Sequence, residues 1–195
     1  MEEKSYHQQW EDFLNPEIFK DRLINISMYI TAYEMLKDTI ISRIKDFYII
    51  PFAANDKTGE LSYKANVLSR NKNHLYASLD WLKENNIIDD NDKDRIESLK
   101  EYRNYLAHEM SNIVFNGEVK SLLDNFLSTY QLIHKIENWW IINFELEVNY
   151  MHDDIDLENI DYDGIQSGKT IMLDMALNVL SGNEELLKKF KEGQI

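Results

Sequence analysis

Apolar side chains recur along this chain at steps of three and four, the spacing that puts them on one face of an α-helix. The first such run is Leu23, Ile26, Ile30, Tyr33, Leu36, Ile40, Ile44 and Phe47. Ahead of it stands Asn15-Pro16-Glu17. Asparagine can cap, proline fits the first helical position, and glutamate suits the positive end of the helix dipole. The spacing predicts a helix of about 45 Å, at about 1.5 Å per residue, stopping before Pro51. "NDKTGE" then marks a turn. A second helix is expected over Leu61, Ala65, Leu68, Lys72, Leu75, Leu79 and Leu82, a stripe broken only by Lys72. After the loop "NNIIDDND", a third helix should end near Ser111 or Asn112. A fourth, from about Glu118 to Val148, presents Leu122, Phe126, Tyr130, Ile133, Ile136, Trp140 and Phe144. The acidic stretch Met151–Gly164 reads as a loop, and Thr170–Leu180 and Asn183–Lys191 as short closing helices.

Two prolines and six glycines in 195 residues leave these runs almost free of helix breakers. The expected fold is all-α: an antiparallel bundle of four main helices with one or two short C-terminal helices. Residues 1–150 would form the bundle, with 151–195 packed on it as part of the same domain or as a small appendage. A chain of this length can bury a core without staples, and the lack of cysteine excludes disulfides, thiolate metal sites and a cysteine nucleophile. "MEEKSYHQQW" contains no secretion signal, and the most apolar window, "WWIINF", is too short to span a bilayer. The expectation is a soluble cytoplasmic protein with no membrane role.

Charge changes the picture. The net charge of −14 argues against general coating of nucleic acid, because tight non-specific binding needs several cations in register. The distribution is uneven, however. Lys37 to Lys72 holds seven basic and four acidic residues, whereas nine acids and no base lie between Lys135 and Lys169. Lys64, Arg70 and Lys72 are therefore candidate substrate-binding residues. The acidic stretch at 151–164 would compete with phosphate for that basic region and restrain access to it.

The candidate chemistry lies in "EYRNYLAHE", Glu101 to Glu109. At 100° per residue, Ile96, Leu99, Leu106 and Met110 share a sector about 80° wide, and Arg103 falls inside it. A lone guanidinium on an apolar face is expensive to bury unless paired. Asn104 and His108, four apart, are expected at the flank of the stripe. On residue types alone, two readings stand. In one, Arg103 pairs with a carboxylate of another helix and His108 helps to end the third helix. In the other, Arg103 holds a phosphate through its two-pronged donor fork. His108 then moves a proton near neutral pH, and Asn104 orients it.

"RNYLAH" resembles the Arg-x(4–6)-His motif of the HEPN superfamily, including the polar residue after the arginine. Leu99 and Glu109 resemble the family's usual context. The resemblance covers about residues 17–147. It implies a bundle of four or five helices with the motif near the end of a late core helix. It also implies a metal-independent endoribonuclease that uses no cofactor, of toxin–antitoxin or phage-defence type, acting as a homodimer with two motifs facing across a cleft. By that resemblance, Arg103 would stabilise the pentacoordinate phosphate, Asn104 would position Arg103 or substrate, and His108 would serve as general acid or base. A cognate antitoxin of nucleotidyltransferase type is an implied partner. The alternative is a non-catalytic helical module in which the same motif braces a dimer interface.

Other signals carry less. "GIQSGKT" has three residues, not four, between its first glycine and the Gly-Lys pair of a phosphate-binding loop, and reads better as a helix start. "HDDIDLENIDYDG" lacks the glycine and glutamate of a calcium loop. Trp139 and Trp140 fall at helical spacing, which favours core or dimer contacts over base stacking. The remaining histidines have no metal-ligand spacing, and no metal site is expected.

Overall fold

The computed structural model describes residues 5–49, 57–117, 121–146, 164–180 and 184–191. Among these there is no strand, and long helices pack as a bundle, as the periodicity predicts. The chain divides into two compact units, residues 1–132 and 133–195.

In the first unit, α1 (Tyr6–Leu14) is followed at once by α2 (Pro16–Tyr48). Asn15 closes one helix and opens the next, its side chain accepting from the Glu17 and Ile18 amides. α3 (Thr58–Tyr63) runs into a π-turn (Lys64–Leu68), and α4 (His74–Glu84) leads to α5 (Asp90–Asn116) and α6 (Leu122–Trp140). α1 is an addition that apolar spacing did not announce. Ser5 and Gln8 form its capping box, and Trp10 and Phe13 pack on Phe115 at the end of α5.

The expected second helix is in fact two pieces. The π-turn slips the helical phase by one residue, and Asn71 and Asn73 then accept backbone amides that open α4. The buried side chains are accordingly Tyr63 and Val67, then Leu75, Leu79, Trp81 and Leu82, while Leu61 is exposed.

Cross-helix bonds fix the antiparallel order. Arg22 of α2 meets Val114 of α5, and Glu34 meets Arg103. Asp80 of α4 meets Lys93, and Tyr76 meets Glu97. Arg95 reaches Ser128 and Gln131 on α6. The core lies among Ile26, Tyr29, Leu36, Ile40 and Ile44 of α2, Leu79 and Leu82 of α4, and Ile96, Leu99 and Leu106 of α5. Tyr29 takes the inward place that the spacing gave to Ile30, and its hydroxyl donates to the Leu99 carbonyl at 2.9 Å. That contact satisfies a buried phenol without breaking the stripe.

In the second unit, the end of α6 continues into a π-turn (Ile141–Glu145), where Trp140 is buried and packs edge-on against Trp139 and on Phe144. α7 (Gly168–Leu180) starts where the glycine and threonine suggested: the Thr170 amide donates to the Ser167 hydroxyl. Lys169 lies 3.4 Å from the fully buried Glu137. α8 (Glu185–Lys191) follows. Pro51, Glu118, Val148 and the acidic stretch up to Asp163 lie outside the described residues.

Candidate functional site

α5 is the scaffold of the motif. Asp89 and Asp92 form a capping box at its start. Its end is at Gly117, in the left-handed region at φ 76°, so the helix runs past Ser111 and Asn112. Two contacts set that end. Arg22, nearly buried, donates to the Val114 and Phe115 carbonyls at 2.7 and 3.2 Å and pairs with Asp12 at 2.7 Å. A methyl group on Gly117 would lie 2.3 Å from the Arg22 guanidinium. The motif therefore sits mid-helix, and His108 takes no part in ending α5.

Arg103 is half-buried, and its two terminal nitrogens are held from different sides. Nη2 donates to Glu34 Oε1 of α2 at 2.6 Å, and Nη1 donates to Asn104 Oδ1 at 3.3 Å. Nε is buried with no hydrogen-bond partner. Glu34 in turn has Lys37 at 3.4 Å on its other oxygen. The carboxylate partner expected in the first of the two readings is thus present.

Around this pair a polar seam runs between α2, α4 and α5. The Tyr76 hydroxyl donates to Glu97, and Lys100 donates to both Tyr76 and Glu97. These bonds hold the Glu97 carboxyl below its ordinary range and push the Lys100 ammonium up. Tyr33, almost fully buried, lies within the field of Lys100, Glu34 and Arg103. Burial, the largest cause, pushes its phenol up to about 12. Spacing on α5 could place Arg103 in the apolar sector, but the carboxylate that meets it comes from a helix far away in sequence.

His108 differs from Arg103. Five residues on, it is rotated by about 140°; it is exposed and makes no hydrogen bond or ion pair among the described residues. It occupies the outer face of α5, not the flank of the buried stripe. Tyr105, almost half exposed, lies on the same outer side. Asn104 is half-buried and oriented by Arg103. Arg103 and Asn104 are thus brought together, and His108 stands apart in this single chain.

The second group of candidate residues divides. Lys64 opens the π-turn and is exposed, and Lys72 lies exposed in the turn before α4, without a partner among the described residues. Arg70 is bonded to Glu84 and to the Asn66 carbonyl, so its charge is already matched. Lys64 and Lys45 line the same cavity. Lys45 is roughly 16 Å along α2 from Glu34, at about 1.5 Å per residue. These lysines do not join the Arg103 site within one chain. Among the described residues no group of three side chains is arranged to hold a metal ion, and no helix is long and apolar enough to cross a membrane. The chain matches no family model, no curated protein and no solved structure.

Proposed function

We propose that this chain is an endoribonuclease of the HEPN type, acting as a homodimer in a toxin–antitoxin or phage-defence setting. The observation that carries the reading is the held guanidinium. Arg103 is oriented by Glu34 and Asn104 while one-third of its side chain stays open to solvent. An oriented fork loses little freedom on gripping a phosphate, whose oxygens present the same acceptors as the Glu34 carboxylate.

In the proposed reaction the ribose 2′-oxygen attacks the adjacent phosphorus as its proton passes to a base. The O2′–P bond forms and the P–O5′ bond breaks. A proton returns to the departing 5′-oxygen, leaving a 2′,3′-cyclic phosphate and a 5′-hydroxyl. His108 moves that proton, and Arg103 steadies the charge on the pentacoordinate phosphorus. Because Arg103 and His108 point to different sides of one helix, dimerisation is what would bring an imidazole and a guanidinium to one phosphate.

The test is incubation of the full chain with single-stranded and structured RNA in EDTA. Cyclic-phosphate ends should appear, and should vanish in Arg103→Lys, where an ammonium keeps the charge but loses the fork. Light scattering at tens of micromolar should give twice the chain mass. RNA left intact with and without divalent metal, or a monomer, overturns the reading. The Arg103–Glu34 bridge also favours the second reading, a helical module that the motif braces. That module predicts lower stability or dimer loss in Arg103→Lys, with no activity at any stage.

A further inference from the structure

The unpaired cations of the first unit are not scattered. Lys20, Arg22, Lys37, Arg70, Lys83, Lys93, Arg95, Lys100 and Arg103 each lie within 4 Å of a carboxylate. Among the described residues, Lys45, Lys57, Lys64 and Lys72 make no such contact, and all four belong to one end of the unit, where α2 finishes and α3 and α4 begin. In a chain of net charge −14, leaving these four free runs against the supply of carboxylates.

Two of them, with His74, line one cavity of about 360 Å³. Ile41 and Lys45 line it from α2 and Ile49 from the residue that caps its end, at successive steps of four. Glu60, Tyr63, Lys64 and Leu68 come from α3 and its π-turn, and His74 from the start of α4. Glu60 and Lys64 are four apart with the acid first, the favoured order for a helical ion pair. No bridge forms between them, and both line the cavity. A π-turn, which often marks a functional site, begins at Lys64 itself. The lining is thus two ammonium groups and an imidazole, one carboxylate, and an apolar wall of Ile41, Ile49 and Leu68. Its volume lies within the usual range for small-molecule sites, roughly 300–1,000 Å³.

We infer that this cavity binds an organic phosphate monoester. Lys45 and Lys64 hold the phosphate, His74 donates to it when a ring N–H faces in, the organic body lies on the isoleucines, and Glu60 accepts from a hydroxyl. The site stands independently of the Arg103 motif, from which it is separated along α2. The phosphate could come from a free metabolite or from the 5′-phosphorylated end of an RNA strand; both present the same dianion and hydroxylated sugar.

Calorimetric titration of the full chain with ribose 5-phosphate, AMP and adenosine tests this. The two phosphates should bind and adenosine should not. Lys45→Gln and Lys64→Gln should each weaken binding by about tenfold, since each removes one charge-assisted bond. Both side chains are exposed, so matching melting curves should show an intact fold. Arg103→Lys should bind as the wild type does, whether or not the chain cleaves RNA. A decaribonucleotide with a 5′-phosphate, compared with its 5′-hydroxyl form, separates the two sources. If only the phosphorylated strand displaces AMP, an RNA end fits; if neither does, the ligand is free. The inference falls if neither phosphate binds at about 5 mM, if adenosine binds as well as AMP, or if the double lysine variant leaves affinity unchanged.

Discussion

Arg103→Met separates catalysis from bracing, and its energetics can be worked from the contacts. The side chains of Arg103 and Glu34 are 34% and 41% exposed, so their bridge is well screened and contributes at most about 1 kcal/mol. Against this, Nε is buried without a partner, which costs about 1–3 kcal/mol. Methionine keeps a flexible apolar stem in the sector of Leu99 and Leu106 and removes the orphaned donor. Glu34 does not lose every partner, because Lys37 remains at 3.4 Å. With the bridge taken at its full value of about 1 kcal/mol, the net change lies between zero and about 2 kcal/mol in favour of the variant. For a chain of this size that holds the melting temperature or raises it by up to about 6 °C. RNA cleavage should disappear, because no cation remains to meet the phosphate. The assays are thermal melting by circular dichroism, light scattering, and end-group analysis of RNA incubated in EDTA. A melting temperature lowered by more than about 4 °C, or a dimer that falls apart, would show that Arg103 is kept for stability and refute this reasoning.

Three further outcomes follow from single contacts. His108→Ala should leave melting unchanged, because the ring is exposed and unpartnered, and should lower RNA cleavage by roughly 10²- to 10⁴-fold in a gel assay. Gly117→Ala should destabilise by roughly 2 kcal/mol or more, from the left-handed backbone alone and then from displacing Arg22. Chemical denaturation should show it as a lower midpoint. Glu97 is held below its ordinary 4.5 by the Lys100 and Tyr76 bonds, so the stability it contributes is full above that value. That stability is lost as pH falls through the lower folded value. Glu97→Gln should therefore show a shallower loss of stability below about pH 4.5 than the wild type, measured by urea titration at successive pH values.

Local chemistry carried much of the fold. Asn15-Pro16-Glu17 opened α2 and Ser167 to Thr170 opened α7 because caps act over three or four residues, within reach of sequence reading. The stripes of α5 and α6 held for the same reason: Ile96, Leu99 and Leu106, and Phe126, Ile133 and Ile136, are buried. The break in the second helix was written in Asn71 and Asn73, but the apolar steps of three and four continued across it and hid it. In α2 the same periodicity allowed either Tyr29 or Ile30 to face inward, and only the Leu99 carbonyl, 70 residues away, selected the tyrosine. The site divides along the same line. That Arg103 and Asn104 could act together was legible from their adjacency, and that an arginine stood in an apolar sector was legible from the helical angle. Which carboxylate meets that arginine was not, because Glu34 is 69 residues away and pairs with it only once α2 and α5 lie antiparallel. The end of α5 likewise depended on Arg22, brought 92 residues to the Val114 carbonyl. Hydrogen bonds within a turn are set by the order of residues, whereas bonds between helices exist only after the apolar faces have chosen their neighbours.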